Sequence, residues 1–276
     1  MICIFLCAPF FINAQIQKGD SLFAKGDWLA ARVAYERELF LGVNSSEVFN
    51  TLLLKKSYSF KAEGNFDAAY QTLSRALLYE GSDSLRFLLF YELSFNAFLA
   101  EKPDLAIGHI QEFNYNFEGS EFDDELLFLE ILCLNKLKRW REAKEKYERY
   151  ATVNDLNADV NQYEEILNHK FKNPKKAQNL SLVIPGSGQM YAGFPLKGLF
   201  SLTVQAGLVY FSVESFLNAY YLSGVFTGVA LFYMFYNGGA RYAAKLATQN
   251  NEKVVQSFND KISTIIIENE LIKKGG

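Results

Sequence analysis

The chain has 276 residues, enough for one large domain or two ordinary ones, and half of them are apolar. An aromatic share of 16% excludes a disordered chain, and a cysteine count of 3 excludes a small disulfide-stapled scaffold. The net charge of −3 is unevenly placed: residues 15–168 hold 17 Lys and Arg against 26 Asp and Glu, whereas residues 169–276 hold 11 against 5. This asymmetry indicates two physical environments.

The N-terminal segment is predicted to be a signal peptide. Residues 1–14 are apolar and end in a small residue before Gln15, so cleavage is expected after Ala14. The segment is too short to span a bilayer. The residues before Cys7 lack the small side chains of a lipoprotein signal, so cleaved export is favoured over a lipid anchor. The expected location is the bacterial cell envelope.

One pattern recurs four times with a period near 37 residues: a turn residue, an aromatic residue two positions on, Ala five on and a large apolar residue nine on. Its copies are Gly26–Trp28–Ala31–Tyr35, Gly64–Phe66–Ala69–Leu73, Glu101–Pro103–Ala106–Ile110 and Lys138–Trp140–Ala143–Tyr147. Pro103 replaces the aromatic residue in the third copy. Each copy predicts a helix, a short turn and a second helix. Because one such pair cannot bury its own apolar face, the units are expected to stack into a solenoid.

Residues 15–150 resemble the tetratricopeptide repeat family. Gly26-Asp27-Trp28 and Gly64-Asn65-Phe66, each followed by Ala and a large apolar residue, carry the resemblance, although the period exceeds the usual 34 residues. The alternative is an unrelated helical bundle with chance spacing. The resemblance implies an all-α solenoid, capped by residues 151–176, which form a capping helix and a basic linker.

The resemblance also implies a groove, lined by the first helix of each pair, that receives a peptide. We call the corresponding residues the repeat face: Tyr58, Lys61, Tyr91, Phe95, Phe98, Phe128 and Leu132. These side chains are mostly apolar or aromatic, so the expected partner is a protein or peptide with an apolar segment. The alternative is that they pack between helices and contact no ligand.

The C-terminal half is strongly apolar. Between residues 177 and 240 there are only two charges, Lys197 and Glu214. The stretches 198–217 and 219–237 are each about 20 residues long, enough to cross a bilayer as a helix. A transmembrane hairpin that turns near Asn218 is therefore predicted within residues 177–245, followed by an amphipathic helix over residues 246–276. The alternative is a very apolar soluble helical domain.

A glycine-rich motif precedes this hairpin. It runs Pro185-Gly186-Ser187-Gly188-Gln189-Met190-Tyr191-Ala192-Gly193 and lacks the Lys-Ser or Lys-Thr of a phosphate loop. We expect a tight turn, with the next helix after Pro195. The motif and the apolar hairpin resemble a small bacterial membrane domain of unknown function and, more weakly, a two-transmembrane-helix family with a G…Y-x-G entrance. The residues that carry the resemblance are Pro185, Gly186, Gly188, Gln189, Tyr191 and Gly193.

Catalytic chemistry is not indicated. His109 and His169 lie 60 residues apart with no metal-ligand spacing around them, and Cys133 lies in an apolar context. No enzymatic activity, cofactor, metal or nucleic-acid partner is expected. The leading hypothesis is a non-enzymatic, membrane-anchored envelope scaffold that binds protein partners. The alternative is a subunit of a membrane transport or membrane-protein-assembly complex.

Membrane topology is left open by the sequence. A cleaved signal places the repeats in the periplasm, but a two-helix hairpin then leaves its Lys- and Arg-rich flanks there too, against the positive-inside tendency. A third crossing at residues 179–195 would return the C-terminus to the cytoplasm, although Pro185-Gly186 interrupts it. Cytoplasmic repeats without a working signal are the other possibility. The periplasmic placement is favoured.

Overall fold

The computed structural model describes residues 8–117, 126–156 and 161–275, and every regular element within those ranges is helical. The prediction of an all-α fold is thereby confirmed for the described chain. The chain divides into two compact units, unit 1 (residues 1–163) and unit 2 (residues 164–276).

Unit 1 consists of consecutive helices that each pack against the next. The helices are α1 (Ala8–Ala24), α2 (Trp28–Leu41), α3 (Ser46–Ala62), α4 (Phe66–Leu73), α5 (Asp83–Leu99), α6 (Pro103–Asn116), α7 (Leu127–Lys136) and α8 (Trp140–Val153). The first helices of successive pairs also touch, as α3 touches α5 and α5 touches α7.

The four copies of the sequence pattern have the same local structure. Each begins with a residue of positive φ: 80° at Gly26, 74° at Gly64, 58° at Glu101 and 60° at Lys138. A new helix begins two residues later in every copy. The alanine of each copy is fully buried, because a larger side chain there would hold the paired helices apart. Those alanines are Ala31, Ala69, Ala106 and Ala143.

A buried amide fixes the loop after the second pair. The Asn50 side chain has no exposed surface. Its Nδ2 donates to the carbonyl of Leu77 at 2.9 Å and to that of Glu80 at 3.2 Å, while its Oδ1 accepts from the Leu77 amide at 2.8 Å. Helix α3 therefore binds three backbone groups of this loop, in addition to the turn hydrogen bond that the Glu80 amide donates to the Leu77 carbonyl at 3.0 Å.

The N-terminal segment is described only from residue 8 onward. Helix α1 is continuous from Ala8 to Ala24, so Ala14, the predicted cleavage point, lies inside it. Residues 1–7, the rest of the predicted signal, lie outside the described residues, and the signal stays a prediction. Residues 157–160 of the predicted capping region lie outside them as well. The short helix α9 (Gln162–Leu167) follows and buries Tyr163 and Ile166.

Unit 2 is built around one long helix. Its elements are α10 (Pro174–Val183), α11 (Ser187–Tyr191), α12 (Pro195–Leu217), α13 (Tyr221–Ser223), a π-helical segment (Gly224–Val229) and α14 (Ala230–Gly275). Helix α14 has 46 residues, a length of about 69 Å, and packs on α10, α11, α12 and the π-helical segment. The predicted boundary at residue 246 therefore falls within a continuous helix.

The chain turns sharply after α12. The helix ends at Leu217, Asn218 caps it, and Ala219 has a φ of 61° before the chain becomes helical again at Tyr221. Helix α12 has 23 residues, about 35 Å, slightly more than the thickness of a bilayer core. Among the described residues it is the one helix that is long and apolar enough to cross a membrane. The return stretch is divided between α13, the π-helical segment and the start of α14.

Candidate partner-binding face and membrane motif

Part of the predicted repeat face forms an aromatic cluster on unit 1. Tyr91 and Phe95 lie one helical turn apart on α5 with stacked rings, centroids 5.8 Å apart. Phe128 of α7 approaches Tyr91 at 6.4 Å. All three residues are half-buried, so part of each remains accessible to solvent. The structure thus brings these three residues together across two neighbouring helix pairs.

Lys61 also joins this cluster, but its charge is already paired. Its Nζ donates to both carboxylate oxygens of Glu92, at 2.8 and 3.0 Å, and lies 4.7 Å from the ring centre of Phe95. Glu92 is only 5% exposed. Burial and the nearby Glu92 carboxylate raise the pKa of Tyr58, whose ring lies 5.6 Å from the same ammonium. The sequence pattern did not reveal Glu92, because an acid within an apolar helix face carries no periodic signal.

The remaining members of the repeat face differ in exposure. Phe98 is half-buried near the end of α5, whereas Leu132 of α7 is 6% exposed and belongs to the interior. Asn135, one turn beyond Leu132, donates from Nδ2 to the Tyr163 hydroxyl at 2.9 Å. The accessible part of the repeat face is therefore aromatic and centred on α5.

Two glycines of the glycine-rich motif, Gly186 and Gly188, lie where the backbones of neighbouring helices are in direct contact. Gly186 has a φ of 90°, and a Cβ there would lie 2.1 Å from the carbonyl oxygen of Gly198 on α12. A Cβ on Gly188 would lie 1.8 Å from the carbonyl oxygen of Ala177 on α10. Both contacts exclude any side chain, since real Cβ atoms do not approach that closely. The motif forms the one-turn helix α11 at this junction, where the sequence predicted only a tight turn.

Gln189 is the centre of a buried polar network. It is 1% exposed, its Oε1 accepts from the Ser181 hydroxyl at 2.8 Å, and its Nε2 donates to the Gly239 carbonyl at 3.1 Å. The Ser181 hydroxyl in turn accepts from the Gly188 amide at 3.1 Å. One side chain thus connects α10, α11 and α14. The partners Ser181 and Gly239 were not identified from the sequence.

Tyr191 connects the motif to the preceding basic segment. Its hydroxyl oxygen accepts from the Asn173 amide at 3.2 Å, and the ammonium groups of Lys172 and Lys176 each lie 5.3 Å from its ring centre. Such cation–π contacts are modest at an exposed site. Gly193, with a φ of 93°, ends the motif two residues before α12 begins, and Pro185 begins it in a half-buried position.

Helix α12 presents large apolar side chains to its surroundings. In its most apolar 18-residue window, 11% of the residues are buried. Leu196 is 81% exposed, Phe200 69% and Leu217 82%. The buried positions of α12 are instead Gly198, Gln205 and Ser215. A Cβ on Gly228 of the π-helical segment would lie 1.9 Å from the Ser212 hydroxyl oxygen on α12. The two helical segments that flank the turn are therefore in close contact.

Groups that could carry chemistry are sparse in the described part of the chain. Within residues 8–117, 126–156 and 161–275, no three His, Cys, Asp or Glu side chains lie close enough to hold a metal ion. Cys133 is fully buried in α7, and burial raises the pKa of its thiol to about 12. A thiol with that pKa is almost entirely protonated at neutral pH and is a poor nucleophile.

Comparison with known proteins adds no relative. No family model, no curated protein and no solved structure matches the chain. The resemblances to the tetratricopeptide repeat family and to the membrane-domain families therefore depend on the sequence residues that carry them.

Proposed function

We propose that this protein is a non-enzymatic scaffold of the bacterial cell envelope. In this proposal unit 2 anchors the chain in the membrane, and unit 1 is a tetratricopeptide-like solenoid that binds protein partners through its repeat face. The observation that carries the proposal is the exposed apolar surface of α12, of which 11% of the most apolar window is buried. In water, contiguous exposed apolar surface of this kind is unfavourable.

The transmembrane hairpin consists, in this proposal, of α12 and the return stretch up to residue 237. The turn at Asn218 and Ala219 lies between them. The close approach of Gly228 to Ser212 supports the hairpin, because helices in lipid associate through small residues and hydrogen bonds. Glu214, exposed one turn before Asn218, is placed where a carboxylate can reach the interface.

The proposed partner is a protein segment with an apolar face. The accessible rings of Tyr91, Phe95 and Phe128 offer such a segment a surface for aromatic contacts. Lys61 is neutralised by Glu92 and so is a poor clamp for a terminal carboxylate. The face therefore favours an apolar segment over an acidic tail.

Two measurements on the full chain test this function. After alkaline extraction of membranes, the protein should remain in the lipid pellet; recovery in the aqueous supernatant would contradict the anchor. Proteins crosslinked to the wild type should be lost from a Tyr91→Ser, Phe128→Ser variant. They should be retained by Tyr115→Ser, a control that removes an 87% exposed ring from α6. Equal capture by all three proteins would contradict binding at the repeat face.

Deleting residues 195–237 separates the scaffold from the alternative role in a transport or assembly complex. A scaffold should retain the partners of its repeat face in the deleted form, because unit 1 supplies the contact. A complex in which the hairpin itself participates should dissociate. The second result would replace the scaffold proposal by the alternative.

The periplasmic placement of the repeats is testable by labelling in intact cells. Cysteine introduced in place of Tyr115, which is 87% exposed, should react with a membrane-impermeant maleimide if unit 1 is periplasmic. Cys3 and Cys7 would be replaced by serine beforehand, and buried Cys133 provides little background. Labelling only after cell lysis would place unit 1 in the cytoplasm instead.

A further inference from the structure

An open groove of about 680 Å³ lies between α12 and α14 in unit 2. Its walls are mostly apolar side chains from both helices, and the polar side chains that line it are Gln189, Lys197, Ser201 and Tyr242. A volume of this size is in the range of small-molecule and lipid sites. The lining residues that form the walls are Leu196, Phe200, Val204, Met234 and Phe235.

One cation lies in this groove. The Lys197 ammonium donates to the Tyr242 hydroxyl at 3.0 Å and lies 4.8 Å from the ring centre of Phe194. Among the residues that the structure describes, Lys197 forms no ion pair. The only acid between residues 177 and 240 is Glu214, which lies 17 positions further along α12, about 25 Å away. The groove therefore combines apolar walls with one uncompensated positive charge.

Resting on the membrane anchor proposed above, we propose that this groove binds one phospholipid with an anionic headgroup. Lys197 and Tyr242 contact the headgroup phosphate, and the walls hold an acyl chain. Two observations favour a lipid over a partner helix. The groove is continuous with the exposed apolar surface of α12, since Leu196 and Phe200 belong to both, and its cation is two residues from the start of that helix, where a headgroup would lie. Basic pockets between membrane helices attract anionic headgroups.

The glycines on α14 explain why the groove is open. Gly238 and Gly239 both line it, and a Cβ on Gly238 would meet no atom within 4 Å. A larger side chain at Gly238 therefore enters the empty volume and does not collide with the protein. Replacing a glycine within a helix by leucine also favours the helical state. Gly238→Leu is thus expected to fill the groove and leave the fold intact.

Native mass spectrometry of the delipidated full chain in detergent tests the proposal. The probes are dioleoyl phosphatidylglycerol and dioleoyl phosphatidylcholine, which share their acyl chains and differ in net charge. The wild type should bind one phosphatidylglycerol in preference to phosphatidylcholine. Lys197→Gln should weaken phosphatidylglycerol binding by about fivefold, the size expected for one lysine near a lipid phosphate. Gly238→Leu should weaken the binding of both lipids.

Two matched controls distinguish the groove from the general membrane surface. Lys245→Gln removes an exposed cation of α14 that does not line the groove, and Gly207→Leu adds a side chain to α12 where a Cβ meets no atom within 4 Å. Both should bind the two lipids as the wild type does. Equal binding by all five proteins, or losses as large in the controls, would overturn the site and leave the anchor standing. Recovery of the wild type from cells without lipid or detergent would overturn the anchor as well.

Discussion

The core of unit 1 and the buried face of α12 with the π-helical segment are made from opposite residue types. In unit 1 the largest fully buried side chains include Tyr35, Leu52 and Phe90. Along α12 and the π-helical segment, the buried positions are occupied by small or polar residues, and large apolar side chains point outward. These buried positions are Gly198, Gln205, Ser215, Gly224 and Gly228.

The proposed membrane anchor accounts for this difference. In water, association of helices is driven by removing apolar area from solvent, so large apolar side chains belong inside. In lipid that driving force is absent between helices, and close packing of small residues with hydrogen bonds takes its place. The small-residue interior of α12 is the arrangement expected for the second case. Substitutions in the two units test whether backbone contact in unit 2 and apolar packing in unit 1 hold the helices together.

Gly188→Ala should be the most disruptive small substitution in unit 2. The added Cβ would lie 1.8 Å from the Ala177 carbonyl oxygen and 2.5 Å from the Ser181 hydroxyl, so α10 and α11 must separate. We expect the free energy of unfolding to fall by about 3 kcal/mol. Amide hydrogen exchange across residues 186–194, measured in detergent, should become faster. Gly207→Ala, where the Cβ meets nothing, should exchange as the wild type does. Similar exchange in both variants would mean that backbone contact does not hold the motif together.

Ala69→Leu should destabilise unit 1 by overpacking. Ala69 has no exposed surface, and three added carbons would have to displace α3 from α4. A cost of about 2–3 kcal/mol is expected. Trp28 and Trp140 are the two tryptophans of the chain and both lie in unit 1, so their fluorescence during thermal unfolding reports this unit. Ala62→Leu, at an exposed position near the end of α3, is the matched control and should change the midpoint little.

The turns of unit 1 show how much of its fold the sequence predicts. Gly26 and Gly64 are ordinary residues for positive φ, but Glu101 and Lys138 are not. Their left-handed conformation follows from their phase in the repeat, where each lies two residues before a helix. Pro103 fits as the first helical residue of α6, because proline is favoured at that position. Repetition therefore locates the turns even where the residue type argues against them.

The contacts that local patterns could not predict join residues far apart in the chain. Lys61 and Glu92 are separated by 31 positions, and Gln189 and Gly239 by 50. A hydropathy period fixes which face of a helix is buried, but it does not fix the register between two helices. The one-turn helix α11 was missed for the same reason, since it exists where three helices meet. The ion pair of Lys61, a predicted residue of the repeat face, with Glu92 of its own chain is such a contact.

Asn50→Ala tests one such distant contact with an intermediate effect. The substitution leaves the Leu77 amide and the Glu80 carbonyl without their side-chain partner and removes one of the two donors to the Leu77 carbonyl, and unpaired buried groups are costly. We expect the free energy of unfolding, measured by tryptophan fluorescence, to fall by about 1–2 kcal/mol. Hydrogen exchange at the Leu77 amide should become faster. Asn44→Ala, at an exposed site before α3, provides the comparison. Unchanged exchange at Leu77 would show that the loop is held by other contacts.

Glu36→Gln should have the smallest effect on the free energy of unfolding, and the size of that effect depends on pH. The hydrogen bond from Lys56, 2.7 Å away, lowers the pKa of the Glu36 carboxyl, and Arg75 lies 3.5 Å from its other oxygen. A carboxyl whose pKa is lower in the folded state adds stability above its unfolded pKa, and that stability is lost as the pH falls through the folded pKa.

The carboxylate of Glu36 is nearly half exposed, so water screens the pair and the loss at pH 7 should stay below about 1 kcal/mol. As the pH falls through the folded pKa of Glu36, the difference between variant and wild type should shrink, since the wild-type side chain then becomes neutral as well. A double-mutant cycle with Lys56→Met isolates the interaction from other effects of either substitution. A coupling energy independent of pH would show that packing, and not charge, joins α2 to α3 at this point.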